Sequence, residues 1–263
     1  MDYGLGELLE YCINNFDNYK KDCDNEILKE KYAKKLYRRI LDCSESVRAL
    51  SETEDKCLKR TAIPALFRIM IEAAIDLTNL CNHTGYEEVM EFYSKKEEID
   101  FLEHNYENYE NLLTDGNLWR DLVSVKKQEK IKRRYSLLEI KLKRSSYWKG
   151  VIWKKIRKNK YKLNSFVYLK MNLIRKYSKN KDRYSKYLAM YDICSAHSHN
   201  NISFLSGNGL KNISNYLETS SQFNQIMASI LKNGLINFTQ IIDCDLDKDE
   251  LKELKKLNSE VAE

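Results

Sequence analysis

One proline and eight glycines are few for a chain of 263 residues. All-β folds with many tight turns use more of both, so their scarcity favours helices. No apolar run nears the roughly 20 residues that a membrane span requires. The opening MDYGLGELLEYC is acidic and has no basic n-region, so it does not read as a secretory signal. Seven cysteines are scattered, odd in number, and form no C-x-x-C pair. That pattern argues against a disulfide framework and a zinc site, and for reduced thiols in a cytoplasm. There are only four histidines. No ligand set stands at a metal-site spacing, so neither a metal nor a cofactor is expected.

What the chain does have is charge, and it is unevenly placed. From Lys126 to Arg183 there are 22 Lys and Arg against three acids, Glu129, Glu139 and Asp182. The rest of the chain holds 23 basic and 36 acidic residues. A net charge of +6 therefore hides a segregation that builds a field over one part of the surface. Aromatics interleave the block: Tyr135, Tyr147, Trp148, Trp153, Tyr161, Phe166, Tyr168 and Tyr177. Cations suit phosphates and rings suit unstacked bases, which points to nucleic acid. Lys154, Lys155, Arg157 and Lys158 are the densest candidates for that contact. The alternative is a set of helices that show solvated lysine faces and bury their aromatics.

Hydrophobic periodicity predicts helices over residues 3–15, 25–50, 54–82, 86–113, 118–143, 163–178, 182–199, 218–243 and 247–262. Ser145 is placed to cap a further helix through about residue 158. No segment alternates like a strand. Residues 54–82 are apolar on a broad front, as in a central helix, with Pro64 expected to kink it or mark its start. Thr114-Asp115-Gly116-Asn117 and Ser206-Gly207-Asn208-Gly209 are turn signals. The fold class is all-α, in one domain over 1–263. N-terminal helices occupy 1–50, and a core over 54–243 holds the basic insertion 126–183. A charged helix or tail over 244–263 closes the chain.

Two segments put polar groups where a core is expected. Arg68, Glu72, Asp76 and Asn79 share one face of the central helix. An intrahelical pair in the order Arg then Glu contributes only about 0.2–0.5 kcal/mol. A buried charged face needs a partner from elsewhere, so these residues are either a structural ion pair or part of a site. The second segment runs from Tyr187 to Asn201. Tyr191, Ser195 and His199 share a helix face, whereas His197 points about 200° away from His199. The two histidines are therefore poor joint metal ligands. Each is either an ordinary helix-end residue or an acid–base group.

The combination of Arg68-x-x-x-Glu72, Trp148-Lys149-Gly150 and Tyr191-x-x-x-Ser195-x-x-x-His199 resembles a bacterial helical family of uncharacterised function that is grouped with the HEPN-like proteins. The similarity covers roughly residues 55–205. It implies a HEPN-like helical bundle with additional peripheral helices, commonly dimeric. Many such proteins are metal-independent endoribonucleases of phage-defence or toxin–antitoxin systems, and others are non-catalytic modules that bind nucleotides or partners. The resemblance thus implies RNA as substrate, a homodimer, and an antitoxin or defence-system partner. HEPN nucleases carry an Arg and a His a few residues apart on one helix. Here Arg183 precedes His197 by 14 positions, so Arg and His must come from different helices.

Under that reading the RNA 2′-OH is the nucleophile. His199 is the base that takes its proton and His197 the general acid. Arg68 stabilises charge on the phosphoryl oxygens and Glu72 orients Arg68 or His199. Tyr191, Ser195 and Asn201 hold the phosphate or the leaving oxygen. The competing expectation is a non-catalytic helical module for nucleic acid or a protein partner. A third is a small-molecule enzyme with a pocket between helices.

Overall fold

The computed structural model describes residues 3–19, 27–109, 125–157, 160–177, 181–198, 221–244 and 246–261. In chain order the helices are α1 (Tyr3–Tyr19), α2 (Leu28–Glu52), α3 (Lys56–Asn82), α4 (Tyr86–Tyr109), α5 (Val125–Arg144) and α6 (Ser146–Ile152). A hairpin of β1 (Trp153–Arg157) and β2 (Lys160–Leu163) follows. Then come α7 (Phe166–Tyr177), α8 (Lys181–Ser198), α9 (Ser221–Ile241) and α10 (Lys248–Glu260). The fold is helical, as periodicity implied. None of these helices is long and apolar enough to cross a membrane. Both turn signals lie outside the described residues.

The chain folds as two compact units, one of residues 1–83 with 170–263 and one of residues 84–169. In the larger unit α3 packs against α2, α8 and α9, while α1 packs against α9 and α10. Phe67, Met70, Ile71, Ala74, Ile75, Leu77 and Leu80 of α3 are all buried. Its broad apolar front therefore meets three neighbours, and Pro64 lies inside the helix rather than at its start. Phe16, Tyr37 and Phe238 from α1, α2 and α9 form a ring cluster with centroids 5.2–5.6 Å apart. At the C-terminal end Asp247 caps α10 in a capping box with Glu250. Glu250 also accepts from the Tyr19 hydroxyl, at 2.9 Å, which ties α10 to α1.

In the smaller unit α4 packs along α5. Phe92 stacks on Tyr135 at 4.8 Å and lies 5.7 Å from Trp153; Tyr93 stacks on Phe166 at 4.9 Å. Several aromatics of the basic segment thus serve as core. Ser145 caps α6 as expected, its hydroxyl accepting from Trp148 N at 3.2 Å. The helix ends at Ile152, however, and the expected continuation to residue 158 is an antiparallel hairpin with Trp153 opposite Leu163 and Lys154 opposite Lys162. The β-branched and aromatic residues Trp153, Ile156 and Tyr161 suit extended backbone, and packing of Trp153 against Phe92 holds the start of the hairpin. Asn164 closes the hairpin base: its amide N–H donates to Ile152 O and its side chain to Val151 O, each at 2.9 Å.

Gly85, between α3 and α4, has φ +81°. A Cβ there would also sit 3.2 Å from the Trp148 indole nitrogen, which donates to Thr84 O. Backbone sign and close approach both require glycine at this position. Gly85→Ala is expected to cost about 1–3 kcal/mol, read as a lower urea midpoint. An unchanged midpoint would show that the turn accommodates a side chain.

Candidate functional site

The polar face of α3 lies in the larger unit, and its partner is Lys170 of α7. The Lys170 ammonium donates to Asp76 Oδ2 at 3.0 Å and sits 3.5 Å from Glu72 Oε2. The other oxygen of Glu72 accepts from Arg68 Nε at 3.1 Å. Asn79 donates through Nδ2 to Lys170 O at 3.1 Å. Charges therefore alternate along the face, from Arg68 through Glu72 and Lys170 to Asp76. Burial divides the row: the Lys170 and Asp76 side chains are 4% and 9% exposed, those of Glu72 and Arg68 29% and 23%. Lys170 itself resides in the basic segment, but the apolar surface of α7 carries it inward. It stands four residues after Phe166, and Leu169, Leu173 and Ile174 around it are buried.

Desolvation lowers the Lys170 pKa, but the fields of Asp76 and Glu72 and the Asp76 hydrogen bond outweigh it, so it lies above the ordinary lysine value. The ammonium is accordingly charged at neutral pH. Lone lysines in an apolar stripe are a readable signal, but 21 other cations in the same segment mask this one.

Tyr191 of α8 meets the outer end of the face. The Arg68 guanidinium carbon lies 5.6 Å from the Tyr191 ring centroid. Burial, then Glu72, raise the Tyr191 pKa against the opposing effect of Arg68, so Tyr191 is a neutral phenol. One turn earlier, Tyr187 shares a 2.8 Å hydrogen bond with Ser229 of α9, and Asn233 donates to Tyr187 at 3.2 Å. Those bonds fix the rotation of α8. Ser195 is half-buried on the same helix. Cys194 is buried and its thiol is pushed up to about 12 by desolvation, which makes it a poor nucleophile. His197 belongs to α8, but its side chain lies outside the described residues, as do His199, Asn201 and Lys158. Arg68, Glu72 and Tyr191 are thus together. His83, at the end of α3, is half-buried and desolvation lowers its pKa.

The sequence candidates Lys154, Lys155 and Arg157 belong to the smaller unit, exposed on β1. Lys160 and Lys162 are exposed on β2. Among the described residues these five hairpin cations have no carboxylate within ion-pair distance. The cations of α5 differ. Arg134 makes a two-pronged bond to Glu91 at 2.6 and 2.8 Å, Lys132 lies 3.4 Å from Glu103, and Lys141 pairs with Glu88. The acidic surface of α4 therefore neutralises part of the basic helix, while Lys127, Lys130, Arg133 and Arg144 of α5 stay exposed, like the hairpin cations, without a carboxylate partner among the described residues. Around it Tyr161 and Tyr168 are 49% and 58% exposed. Lys149 lies over the Tyr161 ring at 5.7 Å. No protein-family model, curated protein or solved structure matches this chain.

Lys170→Met would leave Asp76 buried beside Glu72 without a cation. The expected drop is about 3–5 kcal/mol in urea unfolding, most of it recovered in Lys170→Met/Asp76→Leu. A drop below about 1 kcal/mol would place Asp76 within reach of water. Because the folded pKa of Lys170 is raised, its contribution is full below the ordinary lysine value and disappears as pH rises through the folded one. Wild-type stability should therefore carry an alkaline decline, above about pH 10, that the double variant lacks.

Proposed function

We propose that this protein binds RNA through the basic hairpin of its smaller unit. One observation carries this reading: among the described residues five cations project from the two short strands β1 and β2 without carboxylate partners, beside the exposed rings of Tyr161 and Tyr168. Two of the cross-strand pairs, Lys154 with Lys162 and Arg157 with Lys160, oppose like charges. Such pairs destabilise a hairpin, and a two-stranded sheet is marginal to begin with. A polyanion removes that repulsion on binding. Neutralising phosphates also releases counterions, so affinity must fall as salt rises. In filter binding with total RNA, Lys155→Gln/Arg157→Gln should flatten the slope of log affinity against log salt by about 0.7 for each phosphate no longer neutralised. Arg134→Gln, which removes a paired cation, should leave the slope near that of the wild type. Equal slopes in wild type and the hairpin variant would defeat the reading.

A second reading adds chemistry in a HEPN-like frame, as in phage-defence or toxin systems. Its support is that Arg68, held by Glu72 and lying against Tyr191, is partly exposed beside the helix that leads to His197. There Arg68 stabilises phosphoryl charge and His199 activates the RNA 2′-OH, with His197 as acid and no metal. Ser195 and Asn201 hold the phosphate. Purified protein should then cut RNA in the presence of a chelator, leaving cyclic-phosphate ends. His199→Ala should lower the rate by about 100-fold or more at unchanged RNA affinity. A chelator-sensitive activity, or one that survives His199→Ala, would remove this chemistry while leaving the binding proposal intact.

A further inference from the structure

The smaller unit carries an open groove of about 740 Å³ beside the hairpin. Its lining includes Lys154 and Lys162, Tyr93, Phe166 and Tyr168, and the acid Glu97 of α4. Lys154 and Lys162 are cross-strand partners, so their side chains leave the same face of the hairpin. Two ammonium groups on one face of the hairpin, beside a groove that three rings help to line, favour an anion between them. Ser165 caps α7 by accepting from Tyr168 N at 3.3 Å.

The aromatic part of the lining is divided. Tyr93 and Phe166 stack on each other in the interior, and the Tyr93 hydroxyl donates to Asn164 O at 2.7 Å. Tyr168 is the most exposed ring of this group. Among the described residues it has no ring or cation over it, unlike Tyr161. Asp100 in the lining is occupied by Lys96 at 2.6–2.7 Å, while Glu97 is exposed. Negative charge thus occupies the α4 wall and positive charge the hairpin wall. That arrangement favours a polyanionic backbone on the hairpin side of the groove.

We infer that this groove is a single-strand site: one backbone phosphate lies between Lys154 and Lys162, and an unpaired base stacks on Tyr168. The inference rests on the nucleic-acid reading above and narrows it to unstacked strands. A duplex offers phosphates but no free base face, so it uses the cations without the ring.

The test is fluorescence anisotropy with the full chain and three labelled probes: an oligouridylate and an oligodeoxythymidylate of about ten nucleotides, and an RNA duplex. Tyr168→Ala should weaken single-strand binding by about 5- to 100-fold, with Tyr168→Phe close to wild type and duplex binding unchanged. Lys154→Gln/Lys162→Gln should weaken all three probes and flatten the salt slope by about 0.7. Equal weakening on RNA and DNA assigns the recognition to phosphate and base. Weakening confined to RNA adds recognition of the 2′-OH. Tyr168 and both lysines are exposed, so unchanged helical circular dichroism is expected of every variant. Salt-sensitive binding that ignores all three substitutions overturns the groove and leaves the general reading standing. No binding to any probe by the wild type overturns both.

Discussion

Two carboxylates on the central helix of the larger unit, Glu72 and Asp76, impose the constraint to which the surrounding structure answers. Asp76 is buried and Glu72 half-buried beside it, and burying an unpaired charge costs far more than packing returns. Lys170 supplies the cation from α7, 94 positions further along the chain than Asp76. Its apolar stem passes along buried surface while its ammonium reaches the carboxylates. Asn79 then holds the Lys170 carbonyl, so α7 is fixed to α3 by both side chain and backbone. Glu72 gives its second oxygen to Arg68, and Arg68 reaches Tyr191 of α8. A single alternating row of charges thereby joins three helices.

That row also limits what Arg68 can do. Its Nε is committed to Glu72 and its guanidinium lies against Tyr191, so it can meet a phosphate only in one fixed orientation. An arginine held this way is preorganised, which suits either a structural clamp or a phosphate contact. The neutral Tyr191 phenol and the high-pKa Cys194 thiol beside it supply no nucleophile at neutral pH.

Charge takes a different form in the smaller unit. Along the chain, acidic residues 86–103 and basic residues 126–144 look like separate blocks. In three dimensions α4 and α5 lie together, and Glu88, Glu91 and Glu103 meet Lys141, Arg134 and Lys132. Three of the nine cations of the basic helix are thereby matched by local pairing. The hairpin escapes because no acid occurs between Trp153 and Leu163. A charge run along the chain and a charged surface are not the same thing, since a field depends on the distance to the nearest opposite charge.

Helical class, helix positions, the central role of α3 and the cap at Ser145 were legible in the sequence, because periodicity and capping are local properties. So was the need for a partner to the Arg68–Asp76 face. The hairpin was not: within Trp153–Leu163 the cations occupy both faces, so no apolar alternation marks the strands. Its existence depends on Asn164 taking the last helical carbonyls and on aromatic packing around Trp153. By itself, then, the chain determined which segments coil and which groups require a counter-charge. Only tertiary structure decided that Lys170, one cation among 22, is buried, and that among the described residues the hairpin lysines have no carboxylate partner. Local sequence encodes backbone preference, whereas the partner of a charge is set by helices brought together from distant parts of the chain.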